Sequence, residues 1–86
     1  MARARKPAKT LRSVGHRALC ALLVTARRNA GLNQTELAKR LGKPQSFIAK
    51  YEGGERRLDV IEFLAVARAI GVDPRGILRA LLQKQH

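Results

Sequence analysis

Glycines and paired capping residues cut this chain into segments that suit a bundle of short helices and little else. Gly31, Gly42, the pair Gly53–Gly54 and Gly71 each follow a stretch of helical apolar spacing, and glycine is the residue that most readily closes a helix C-terminus. The starts are marked as clearly. Asn33 with Glu36, and Asp59 with Glu62, stand at capping-box spacing, where each side chain satisfies the other's free backbone amide. Asp73 and Pro74 form an N-cap and first-position pair. The spacing therefore predicts a helix from a Ser13 cap to Ala30, a short one after Asn33, and a third over Gln45–Glu52. A fourth follows Asp59 and ends at Ala69 or Ile70, and a fifth runs from Pro74 through Leu82. Apolar faces are expected at Leu19, Leu22, Leu23 and Ala26, at Leu37 and Leu41, and at Ile61, Leu64, Ala65 and Ile70. The expected fold is all-α, a compact five-helix bundle over residues 13–82, with a basic arm at 1–12 and a tail at 83–86.

With 86 residues there is room for one domain, which buries only about 60% of its unfolded surface. Aromatics supply 3% of the chain, so the core has to come from Leu, Ile, Val and Ala. The charge is more informative. Eighteen Lys and Arg against six Asp and Glu give a net +12. Such self-repulsion does nothing for folding and points to a polyanionic partner.

Several function classes drop out. The lone Cys20 allows no internal disulfide, and with His16 and His86 it is too scattered for a metal site. Six acids, with no Ser–His or Cys–His arrangement, leave nothing to carry catalysis; no enzyme, cofactor or small-molecule ligand is expected. The apolar run Ala18–Ala26 after a basic stretch faintly imitates a signal peptide. It is only nine residues long, whereas a membrane span takes roughly twenty, and the run is needed as core. A cytoplasmic protein without a membrane partner is expected.

The second and third segments, joined by a turn at Gly42, have the form of a helix-turn-helix. On a wheel of about 3.6 residues per turn, Ile48 and Tyr51 face the core with Phe47 at its edge. Gln45, Ser46, Ala49 and Lys50 face outward. A solvated helix face usually carries Glu as well as Lys, and this arc has no acid. It offers an amide for adenine N6 and N7, a hydroxyl, a methyl for thymine, and a cation, the groups that read base edges in the major groove. Phosphate ligands are expected at Gln34 with the amides of its helix start, and at Lys43, Arg56 and Arg57. Arg3, Arg5, Lys6 and Lys9 of the arm would reach round the duplex or along a groove. Each single cation is as well explained by solvation; their sum is what points to DNA.

The runs Gly31-Leu32-Asn33-Gln34-Thr35-Glu36-Leu37-Ala38, Leu41-Gly42, Gln45-Ser46-Phe47-Ile48, Tyr51-Glu52-Gly53-Gly54-Glu55-Arg56 and Ala67-Arg68-Ala69-Ile70-Gly71-Val72 resemble the Xre/Cro family of phage-repressor-like regulators. The resemblance implies that Gln34, Gln45, Ser46 and Lys50 approach DNA. It also implies an ion pair between Arg27 and Glu52 that pins the third helix to the first. The sequence departs from the pattern at Pro44, where a hydroxyl usually caps, at Leu58 in place of a common proline, and at Phe47, which is bulkier than usual. Phe47 would reach a thymine methyl or, the better use of its bulk, fill the gap between helices.

A sequence-specific regulator, probing double-stranded DNA as a homodimer on a palindromic site and repressing, is the leading expectation. Ile77, Leu78, Leu81 and Leu82 supply either core or the dimer surface. The alternative is an antitoxin or protein-interaction subunit with the same fold. It calls for an extended apolar tail, and only Gln83–His86 follow the fifth segment.

Overall fold

A computed structural model describes residues 14–84. They form five helices, α1 (Val14–Asn29), α2 (Gln34–Leu41), α3 (Gln45–Glu52), α4 (Val60–Ile70) and α5 (Pro74–Lys84), and no strand occurs among the described residues. The all-α, five-helix expectation holds. Ser13 and the basic arm with Arg3, Arg5, Lys6 and Lys9 lie outside the described residues.

The boundaries fall where the caps put them. Asn33 Oδ1 accepts from the Glu36 amide and Glu36 Oε1 from the Asn33 amide, both at 2.8 Å. Asp59 and Glu62 repeat the exchange at 2.7 and 3.0 Å. Gly42 closes α2 in the left-handed region at φ 69°. Its amide donates to Lys39 O, and the next amide, of Lys43, reaches back to Ala38 O at 3.0 Å. This double return bond needs a positive φ, which a side chain rarely tolerates. Open space surrounds a Cβ built on Gly42, so backbone strain rather than crowding is what selects glycine. Helix α5 runs two residues past the expected Leu82, to Lys84, because Gln83 and Lys84 are good helix formers with no breaker before them.

The core is a cluster of Leu23 and Ala26 from α1, Leu37 and Ala38 from α2, Ile48 and Tyr51 from α3, and Phe63, Val66 and Ile70 from α4. Burying each large apolar side chain contributes about 1.5–3 kcal/mol. On α1 the expected Leu23 and Ala26 are buried and Cys20 joins them on the inner face, while the expected Leu19 and Leu22 are only half-buried. The α4 face differs more. Phe63, Val66, Ala67 and Ile70 are buried, Leu64 and Ala65 are half-buried, and Ile61 is 73% exposed. Val60–Ile70 is apolar nearly all round, so its periodicity does not mark one side as inner; the side that packs into the core cluster is the one carrying Phe63, Val66 and Ile70. Arg40 Nη1 donates to Ala69 O at 2.9 Å and ties α2 to the end of α4.

Candidate nucleic-acid interface

The turn Gly42–Pro44 delivers the chain from α2 into α3. Pro44 provides no side-chain cap, as its sequence implied; its carbonyl accepts from the Phe47 amide at 3.0 Å. At the far end, Lys50 O accepts from the amides of Glu55 and Arg56 at 2.9 and 3.2 Å. The basic loop is thereby folded against the end of α3.

Ile48 and Tyr51 are wholly buried while Gln45, Ser46 and Lys50 are exposed and Ala49 is half-buried. Burial raises the Tyr51 phenol above its ordinary range. The outward arc expected from the wheel is thus the outward arc of the structure.

Behind it runs a chain of polar contacts. Arg27 Nε and Nη2 donate to the two Glu52 oxygens at 2.7 and 3.0 Å, and Arg27 Nη1 donates to Leu32 O at 2.8 Å. The pair's side chains are 8% and 6% exposed, and the hydrogen bond to Glu52 pushes the Arg27 pKa up. This is the ion pair that the sequence resemblance implied. Glu52 Oε1 also accepts from Gln34 Nε2 at 2.9 Å, and Gln45 Nε2 donates to Gln34 Oε1 at 2.6 Å. The logic is directional. A carboxylate only accepts, so Gln34 turns its NH₂ inward and its oxygen toward Gln45. Gln45 must then donate, which leaves its own oxygen and one N–H available. That is the acceptor–donor pair complementary to adenine N6 and N7.

Gln34, expected as a phosphate ligand, therefore has both ends of its amide engaged in orienting Gln45. Arg56 donates from Nη1 and Nη2 to Glu62 at 3.0 and 2.7 Å, and from Nη1 to Arg57 O at 3.0 Å. The Arg56 guanidinium and the Asp59 amide hold the Glu62 carboxyl down at about 2. Lys43 Nζ and Arg56 Cζ lie 5.5 and 4.8 Å from the Phe47 ring centroid. Arg57 is exposed, and its charge acts on the buried His16, whose pKa is lowered by burial first and by Arg57 second. Sequence reasoning missed Glu62 as Arg56's partner, having assigned it only to a cap; its Oε1 serves both.

Among the described residues no helix is long and apolar enough to cross a membrane, and no group of His, Cys, Asp and Glu is arranged to hold a metal.

An XRE-family like protein from Pseudomonas syringae pv. tomato str. DC3000 is 48% identical, with a TM-score of 0.83 over 95% of this chain and 100% of that one. The family model described as Helix-turn-helix matches residues 23–77. The chain belongs to the Xre-type helix-turn-helix family. Other solved members of this fold include the restriction-modification controller C.AhdI from Aeromonas hydrophila, 28% identical, with a TM-score of 0.65 over 70% of this chain and 91% of that one. The clp gene regulator ClgR from C. glutamicum shares the fold at 20% identity and TM-score 0.77, over 86% and 96% of the two chains. No curated protein matches. Within the Xre-type frame, the helix-turn-helix is α2 and α3, and this chain is a DNA-binding regulator by type.

Proposed function

We propose that this Xre-type protein is a sequence-specific transcriptional regulator in the cytoplasm that inserts α3 into the major groove and represses by occupying a promoter. The observation that carries it is Gln45, held by Gln34, Glu52 and Arg27 with an acceptor and a donor left for a base edge. Ser46, Ala49 and Lys50 extend the reading surface along the same acid-free arc. Lys43, Arg56, Arg57 and the amides at the start of α2 bind phosphates, and Arg3, Arg5, Lys6 and Lys9 reach further along the duplex. The net +12 steers encounter. No catalytic step is part of this activity.

The protein acts as a homodimer on a palindrome whose half-sites lie about one helical turn, ~34 Å, apart. Support comes from α5, where Leu78 and Leu82 are 43% and 66% exposed beside half-buried Ile77 and Leu81. A protein of the same fold, the controller C.Esp1396I, forms a tetramer on its natural 35 base-pair operator, so the fold is compatible with multimeric binding. Selection from a randomised duplex library tests the proposal. A palindromic motif that Gln45→Ala relaxes at one base pair is the expected result. Steeply salt-dependent binding with no motif would reduce the function to charge alone.

A further inference from the structure

Phe47 does more than fill a gap. Resting on the DNA-binding function above, we infer that Phe47 is a positioning residue whose ring assembles Lys43 and Arg56 into a ready-made pair of cations for a backbone phosphate at the rim of α3. The ring is fixed from behind: it meets Tyr51 edge-to-face, with centroids 5.7 Å apart and planes at 69°, and Tyr51 is wholly buried. Onto this one ring converge a lysine from the turn before α3 and an arginine from the loop after it, at 5.5 and 4.8 Å from its centroid. Both lie within the roughly 6 Å at which a ring quadrupole attracts a cation. Two cations gathered in one place repel each other. The ring and the Glu62 carboxylate, which feels the charge of both Arg56 and Lys43, offset that repulsion.

The geometry leaves the right atoms free. Arg56 uses two Nη1 hydrogens and one Nη2 hydrogen on Arg57 O and Glu62. Of its five donors, the Nε–H and the second Nη2–H have no partner among the described residues. They lie side by side on one edge, the arrangement that takes two phosphate oxygens. A cation already ordered loses less freedom on binding than a swinging one. An aliphatic side chain of similar size would fill the same gap but would release Lys43 and leave Arg56 to Glu62 and Arg57 O alone.

The test is binding to a mixed-sequence duplex, followed by fluorescence anisotropy across salt, since phosphate contacts need no operator. Phe47→Leu is expected to give a salt slope shallower by about 0.9, one phosphate's share. The wild-type advantage over Phe47→Leu then grows about threefold from 200 to 50 mM salt. Phe47→Tyr, which keeps the ring, retains the wild-type slope. In a Lys43→Gln, Arg56→Gln background, Phe47→Leu has no further effect. A partly unfolded Phe47→Leu sample would lose active fraction without changing slope, so the slope separates positioning from stability. An unchanged slope, or an equal loss with both cations already removed, overturns the inference and leaves the DNA-binding function standing. Failure of the wild type to bind any duplex at low salt overturns both.

Discussion

Removing Arg27 is the substitution whose consequence the structure defines most sharply. Arg27→Ala leaves the Glu52 carboxylate, 6% exposed, with the Gln34 amide in place of a bidentate guanidinium. It also takes the guanidinium donor from Leu32 O. Breaking one side of such a pair costs about 3–5 kcal/mol, against a total stability of roughly 5–15 kcal/mol for a whole domain. At this size that is a fall in Tm of roughly 12–40 °C. Arg27→Met with Glu52→Leu removes both charges, and is expected to stay within about 1 kcal/mol of wild type. That double variant still strips Gln34 of its anchor, so it should fold well and read DNA badly. Urea unfolding followed by circular dichroism, at fixed protein concentration, measures the first effect, and competition between motif and unrelated duplexes measures the second. Arg27→Ala within about 0.5 kcal/mol of wild type would refute the reasoning.

Three further outcomes follow from the same structure. The Tyr51 hydroxyl is buried without a hydrogen-bond partner among the described residues, so Tyr51→Phe should be neutral or stabilising by about 1 kcal/mol; clear destabilisation in urea would show that the hydroxyl is satisfied. Burial lowers the His16 pKa from 6.5, and Arg56 lowers Glu62 from 4.5 to about 2. Both folded-state values are depressed, so their stabilisation is complete above pH 6.5 and is lost on acidification, for His16 below 6.5 and for Glu62 between 4.5 and about 2. His16→Gln should flatten the first decline and Glu62→Gln the second, with the cap retained by glutamine; stability rising as pH falls below 6.5 would contradict this sign. Leu78→Glu with Leu82→Glu should give a folded monomer in sedimentation, and an unchanged dimer would move the interface off α5.

Much of this was legible in the sequence because local chemistry decides it. Asn33 with Glu36 and Asp59 with Glu62 announce helix starts whatever surrounds them, and Gly42 announces a stop. The faces of α3 were readable because polar and apolar residues separate cleanly around it. On Val60–Ile70 they do not, and the burial of Phe63 over Ile61 is decided by what α4 packs against. The bonds from Glu52 through Gln34 to Gln45 join residues 18 and 11 positions apart, and only tertiary placement makes them neighbours. The same holds for Lys43 and Arg56, which meet on Phe47 from opposite ends of α3.

The central claim, that Gln45 reads an adenine edge in the major groove, is tested most directly by exchanging one nitrogen of the DNA for C–H. In the selected motif, 7-deazaadenine is placed at the base pair that Gln45→Ala relaxes, which deletes the N7 acceptor and leaves pairing intact. Wild-type binding is predicted to weaken by about 1–3 kcal/mol, and Gln45→Ala binding to be indifferent to the change. Equal losses for both proteins, or none for either, would contradict the account.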